Sequence, residues 1–404
     1  MSVPEDGDFG FLVHTPSEAV RPLRPFASFA SPTVDGPTDA TITRLGTESA
    51  LTADEEIPAR AGNTRDNNRT NSDERDQNEL TTGWCSDSMR LSEKRVVVTG
   101  GAGLVGSHLA QYLRDENDVV VADDLSKGTR ERVPDGVEFV KADLTDASDV
   151  AEVITEDVDV VFHFAAYTDT NYADPRKLFE ENTEMTYNVL ERMEEVGVSN
   201  IAFTSSSTVY GEAPRPTPED YAPLEPISVY GASKLADEGL LSTYAHSKDV
   251  TVWLFRFANI VGPKQRGNVI PDFIEKLLED PETLTILGNG RQEKSYLHVE
   301  DCVRAISHVV ENAEQSMNTY NLGTRTTTSV TTIADIVSDV MDLDPEYEYT
   351  GGDRGWEGDV PRMRLSIEKL SALGWEPDAS SDDAVRRATR ELAAELRDEY
   401  GVEA

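Results

Sequence analysis

Cysteine is nearly absent: Cys85 and Cys302 stand far apart in a chain of 404 residues. That leaves neither a disulfide framework nor a zinc site, and it suits a reducing compartment. Long apolar runs are missing too. No window approaches the roughly 18 apolar residues of a membrane span, and the acidic N-terminus lacks the charged-then-apolar order of a secretion signal. Positive charge is scarce, with 37 Lys and Arg against 76 Asp and Glu and a net charge of −39. Such a surface repels nucleic acid and anionic membranes. These absences point to a soluble cytoplasmic protein with no nucleic-acid, membrane or metal role.

The length suggests two domains, or one domain with a sizeable tail. Residues 1–88 contain no lysine and are rich in Pro, Ser, Thr, Asn and Asp. A segment of that composition buries too little apolar surface to offset its ordering entropy. Met89 then begins "MRLSEKRVVVTGG", with a strand almost at once. Residues 1–88 are therefore expected to be a disordered extension or the product of a mis-assigned translation start. Acidity is spread over the whole chain, and arginine exceeds lysine by more than two to one. The pattern is similar to that of proteins adapted to concentrated salt, where a Debye length of about 3 Å near 1 M screens self-repulsion.

From residue 95 short apolar runs alternate with helical stretches. "RVVVTG", "DVVVAD", "VEFVKAD", "DVDVVFHFAA", "VSNIAFTSSS" and "TVWLFRFAN" read as buried strands, and 105–114, 147–155, 175–197 and 229–246 read as helices. Repeated β-α-β order with near-continuous apolar strands predicts an α/β fold with a doubly wound parallel sheet. After Pro263 the alternation breaks into helices and short strands, as a smaller appended domain requires.

"VVVTGGAGLVGSHLA" joins the first strand to the first helix, with Gly101, Gly103 and Gly106 in G-x-G-x-x-G and Gly100, Gly103 and Gly106 in the wider G-x-x-G-x-x-G. Glycine serves the tight turn and the approach of backbone to a pyrophosphate, and the free N–H groups of the helix start attract anions. Asp123 ends the second strand about 20 residues on, placed to accept hydrogen bonds from a ribose diol. A carboxylate there repels a 2′-phosphate, which favours NAD over NADP.

Two Tyr-x-x-x-Lys pairs occur, Tyr230 with Lys234 in "SVYGASK" and Tyr244 with Lys248 in "YAHSK". Position separates them. Ser206 in "TSSSTVYG" ends the fifth strand, at the sheet edge where ligands bind in parallel sheets, and the helix from Val229 brings Tyr230 beside it. Tyr244 lies almost four turns further along and reads as a solvated pair with Lys248. A tyrosine near pKa 10 is a poor base at neutral pH, but Lys234 and a positive nicotinamide ring both favour its phenolate. Tyr230 then acts as general base and Ser206 fixes the substrate oxygen.

These motifs, with "DDLSKG", "KADL", "FHFAA", "SSSTVYGE", "FRFANIVGP" and "RGWEGDVP", resemble the extended short-chain dehydrogenase/reductases of the NAD-dependent epimerase/dehydratase family, in the style of UDP-glucose 4-epimerases. The resemblance spans about residues 94–376. It implies a Rossmann fold with residues 89–262 binding NAD, 300–325 returning to that domain, and 263–404 mainly binding a nucleotide sugar. It further implies NAD contacts from Leu104, Val105, Asp143, Leu144, Phe164, Ala165, Ala166 and Asn182, and substrate contacts from Asn259, Lys294 and Arg354. Lys294 stands where the family often has arginine, and Arg354 precedes Gly358-Asp359 by more than the usual R-x-G-D spacing. Thr168 and Asp169 stand where small or apolar residues are common. A homodimer through the helices at 175–197 and 229–246 is implied as well. Related dehydratases and decarboxylases carry a carboxylic acid just before V-Y-G, where this chain has Ser207 and Thr208. That departure favours 4-epimerisation of a UDP-hexose through a 4-keto sugar. The alternatives are another nucleotide-sugar dehydratase or reductase, or a non-catalytic NAD-binding protein.

Overall fold

The computed structural model describes residues 89–168, 174–355 and 358–401, so the expectations for 1–88, for Cys85 and for Asp169 fall outside the described residues. The first part runs β1 (Arg95–Thr99), α1 (Leu104–Leu113), β2 (Asp118–Asp123), β3 (Glu138–Lys141), α2 (Ala147–Val153), β4 (Val160–His163), α3 (Pro175–Val196), β5 (Asn200–Ser206), α4 (Val229–Ser247) and β6 (Thr251–Phe257). It continues through β7 (Asn259–Val261), α5 (Val269–Glu279), β8 (Thr283–Ile286), β9 (Glu293–Lys294) and β10 (Tyr296–His298) to α6 (Val299–Asn312) and β11 (Met317–Leu322). The chain closes with β12 (Thr328–Ser329), α7 (Val330–Met341), β13 (Glu346–Tyr349), β14 (Arg362–Met363), α8 (Glu368–Ala372) and α9 (Ser381–Tyr400).

Among the described residues, seven strands form one parallel sheet in the order β11-β6-β5-β4-β1-β2-β3. Alternation along β1 splits the core into two layers. Val96 and Val98 pack with Val119, Val121 and Phe162 against Leu109 of α1 and Ile306 of α6. Val97 packs with Val120, Val161 and Phe203 against Val189 and Leu190 of α3 and Leu241 of α4. A sheet covered on both faces needs strands that are apolar throughout, and the β1 side chains from Val96 to Val98 are fully buried.

Local chemistry fixes the helix ends. The Asp174 side chain accepts the Lys177 N–H at 3.1 Å, with Pro175 in the first turn, and α3 stops at Gly197 with φ of 80°. Ser228 caps α4 by accepting the Gly231 N–H at 3.1 Å. The remaining elements build a second apolar cluster, in which Phe273 and Leu277 of α5, Ile336 of α7 and Leu392 of α9 close over Ile286 of β8 and Tyr296 of β10.

The sheet order reverses between β1 and β4, whose ends pair Thr99 with His163. Ligands bind outside the carboxyl ends of strands at such a switch point. Thr99, Asp123, His163 and Ser206 all end strands on that edge.

Candidate active site

The turn after β1 has the shape the sequence predicts. Gly100 takes φ of +64°, and a Cβ there falls 2.7 Å from the Ala165 backbone nitrogen. At Gly106 a Cβ falls 2.4 Å from the Gly100 carbonyl oxygen, which closes the helix onto the strand, whereas at Gly103 a Cβ meets only that carbonyl, at 3.1 Å. The helix α1 starts at Gly103 with no side-chain cap and no carboxylate in its first turn. An uncapped helix start with an open glycine face is the donor set a pyrophosphate needs, so these residues fit NAD. Leu104 and Val105 open α1 and are half-buried.

Asp123 is more than a ribose acceptor. Its Oδ2 accepts the Ala102 N–H at 3.0 Å and its Oδ1 the Leu125 N–H at 2.8 Å, so the carboxylate also pins the glycine turn. Burial raises its pKa, and those two N–H groups act the other way. A carboxylate has about four lone-pair sites, so acceptor capacity remains for a diol.

The other expected cofactor residues divide between the loop surface and its support. Phe164 and Ala165 follow β4 and donate their N–H groups to the Thr99 hydroxyl at 3.1 and 3.2 Å. Ala166 is half-buried beside them, and Thr168 is exposed. Asn182 is 2 % exposed and accepts the Tyr167 N–H at 2.8 Å, while its amide donates to the Tyr167 carbonyl at 3.0 Å and the Ser233 hydroxyl at 3.1 Å. It ties the β4 loop to α4. Asp143 is exposed and bonded to Thr145, whereas the Leu144 side chain packs in the core and its carbonyl accepts the Asn188 amide at 2.9 Å.

The carboxyl end of β5 and the start of α4 bring Ser206 to Tyr230. The Ser206 side chain acts on the Tyr230 hydroxyl, and its Oγ accepts the Thr208 N–H at 3.2 Å. The Tyr230 ring is half-buried while its hydroxyl end is densely surrounded, and burial, with Asp237 adding to it, pushes its pKa up to about 12. Ser206 beside it opposes that rise. Lys234, 2 % exposed, lies 4.4 Å from the centroid of the Phe203 ring and 3.9 Å from Asp237. Burial lowers its pKa, and Asp237 and Glu238 hold it up.

One expectation needs correcting. Tyr244 is not a solvated residue paired with Lys248: its ring is 8 % exposed within the core, and Lys248 instead reaches Glu194 at 2.6 Å. The helix turns Tyr244 toward α3, far from the strand ends.

On the second apolar cluster's side, Asn259 and Tyr296 are register partners, and Asn259 opposes the rise that burial imposes on the Tyr296 pKa. Lys294 is bound to Asp359 at 2.6 Å, and Arg354 donates to the Asp359 carbonyl and to Glu212. The structure thus brings Lys294 and Arg354 to one residue, Asp359, from distant parts of the chain, Lys294 at its carboxylate and Arg354 at its backbone carbonyl. Both cations already have acidic partners, with which an anionic substrate group has to compete.

Sequence reasoning missed a buried polar cluster beneath the site. His163 Nδ1 meets the Thr99 hydroxyl at 2.8 Å and Nε2 the Thr186 hydroxyl at 3.3 Å. Asp237 lies alongside, fully buried, with burial pushing its pKa up to about 6. An acidic residue three positions after Lys234, on the same helix face, was the available signal.

Known proteins match this geometry. The family model described as the NAD dependent epimerase/dehydratase family matches residues 96–323. The UDP-glucose 4-epimerase of Mycolicibacterium smegmatis is 32 % identical over 309 residues, covering 72 % of this chain and 96 % of that protein. A crystal structure of a UDP-galactose 4-epimerase superposes with a TM-score of 0.69 at 42 % identity, covering 75 % of this chain and 99 % of the other. The Thermus thermophilus UDP-glucose 4-epimerase complex with NAD superposes with a TM-score of 0.66 at 32 % identity, covering 74 % and 98 %.

Proposed function

The chain belongs to the NAD dependent epimerase/dehydratase family, and from that premise we propose that it is an NAD-dependent nucleotide-sugar epimerase that inverts C4 of a UDP-hexose. The observation that carries this reading is the placement of Tyr230 beside Ser206 at the carboxyl edge of the sheet, with Lys234 one turn on and no carboxylic acid at Ser207 or Thr208. Relatives named as UDP-glucose 4-epimerases supply the substrate class.

In this reading the glycine turn, the α1 start and Asp123 hold NAD. Bound NAD supplies the hydride acceptor and a positive ring charge that opposes the burial cost of the Tyr230 phenolate. Tyr230 takes the proton of the sugar 4-hydroxyl and later returns one to the 4-keto oxygen. Ser206 holds that oxygen throughout. Lys234 contributes a fixed positive charge close to both. Because Ser207 and Thr208 have no acidic proton to give, an elimination from the 4-keto sugar lacks its acid, so the sugar turns its other face and is reduced back to the alcohol with C4 inverted. Asn259, Lys294 and Arg354 are assigned to the nucleotide sugar.

We assign NAD binding to residues 89–262 together with 300–325, and nucleotide-sugar binding mainly to the rest of 263–404; the place of α6 and β11 in the first layer supports this division. The same reading makes the protein a cytoplasmic homodimer joined through α3 and α4, with an acidic surface suited to high salt. None of the described helices is long and apolar enough to cross a membrane. Incubation with UDP-, dTDP- and GDP-hexoses, followed by NMR of the products, tests the activity. A 4-epimer of the UDP-hexose without net NADH is expected. Loss of water or carbon dioxide from the sugar, or stoichiometric NADH release, would refute it.

A further inference from the structure

Asp237 is a fully buried carboxylate that the reaction above does not use. Its Oδ2 lies 3.9 Å from Lys234 Nζ, and among the described residues neither of its oxygens has a hydrogen-bond partner. The Thr186 hydroxyl faces it and favours its charged form, but Thr186 is engaged with the Asn182 carbonyl at 3.2 Å and the His163 ring at 3.3 Å. A buried carboxylate without hydrogen bonds is held by its ion pair or not at all.

The surroundings leave Lys234 as that partner. On α4 itself, Glu238 is turned away to Arg256 of β6, at 3.0 and 2.7 Å from its Nε and Nη2. Strand β5 contributes Phe203, against which Lys234 rests, and Ser205, which donates to Glu238 at 2.6 Å. Strand β4 contributes His163, kept neutral by burial and by Lys234. The short turn at Ser207–Tyr210 adds Tyr210, bound to Arg256 at 2.8 Å. Helix α3 offers Thr186 here; its Tyr187, Glu191 and Glu194 act on Tyr244, at the far end of α4.

We propose that Asp237 is a positioning residue that keeps Lys234 cationic in a pocket that would otherwise strip its proton, and so sustains the positive charge next to Tyr230. Asp237 also opposes Tyr230 ionisation directly. Removing Asp237 therefore acts on Tyr230 by two routes, and the Lys234 midpoint is the readout that isolates the ion pair. The inference rests on the reading of Tyr230 and Lys234 as the acid–base pair, and its test is chosen to separate the two.

The chain has only ten lysines, so their ε-carbons, labelled with carbon-13, give a spectrum in which Lys234 is assigned by its loss in Lys234→Arg. The full-length, NAD-loaded protein is titrated as wild type, Asp237→Asn and Asp237→Val, the second variant guarding against an asparagine that disturbs packing. The Lys234 midpoint is expected to fall by about one pH unit or more in both. The alkaline limb of the turnover profile should fall with it, giving about a tenfold loss above that limb. An unchanged Lys234 midpoint overturns the proposal. A midpoint that falls while the turnover profile stays in place upholds the ion pair and overturns the acid–base role of Lys234.

Discussion

Glu238 grips Arg256 with both carboxylate oxygens, and the two side chains are each only 8 % exposed. Arg256 also donates to the Tyr210 hydroxyl at 2.8 Å and the Glu219 carbonyl at 3.0 Å, so the pair locks α4 to β6 and to the loop before it. Removing one member strands the other charge in a buried site. Glu238→Ala is therefore expected to cost about 3–5 kcal/mol in denaturant unfolding. A loss under about 1 kcal/mol would mean that water reaches Arg256.

The two Tyr-x-x-x-Lys pairs form an internal control. Tyr230→Phe removes the group that exchanges the substrate proton and should lower turnover by about 10² to 10⁴. Tyr244→Phe changes a core ring on the same helix and should alter turnover less than about threefold. Both variants should retain NAD, since Asp123 and the glycine turn are untouched. Equal losses in the two would sink the assignment of Tyr230.

His163 makes stability depend on pH. Burial holds its pKa down to about 3, whereas an unfolded histidine titrates near 6.5. Below about pH 6.5 the unfolded chain binds a proton that the folded chain refuses, so stability falls as the solution is acidified. At pH 5 the penalty is about 2 kcal/mol, at about 1.4 kcal/mol per unit. Unfolding of wild type and His163→Asn, compared at pH 7.5 and pH 5, measures it: the variant should lose about that much less on acidification. Identical losses would show that His163 protonates in the folded state.

Asp123→Asn keeps the shape but loses the charge that accepts the Ala102 and Leu125 N–H groups. Hydrogen bonds to charged groups contribute about 1.5–3 kcal/mol, so NAD affinity should fall at least about tenfold. The preference for NAD over NADP should narrow at the same time. Calorimetric titration of both nucleotides reads this out, and an unchanged affinity ratio would remove Asp123 from cofactor selection.

The architecture was legible because its period is local. The strand β1 and the start of α4 are written in adjacent residues: a β-branched run that ends in glycines, and Ser228 before a helix. Tyr230 was separable from Tyr244 by distance from a strand end alone. What misled was the environment of Tyr244, since its burial depends on α3, and helix-to-helix packing is not encoded in a four-residue spacing. The Lys294 to Asp359 bond was hidden for the same reason, as it joins β9 to a loop 65 residues on. Asp237 was hidden differently. Acidic residues are so common in this chain that one more, three places after a lysine, reads as surface.

The sheet's dependence on β11 has a consequence during synthesis. Strand β6, with the sequence TVWLFRF, is an edge until β11 pairs with it, and its Trp253, Leu254 and Phe255 are core residues. Roughly 65 residues separate the ends of β6 and β11. At about 5–20 residues per second a ribosome takes about 3–13 s to cross that interval. Through those seconds the nascent chain carries an open, apolar strand edge, the kind that pairs with neighbouring chains. The exposure ends only when residue 322 arrives and β11 closes the edge.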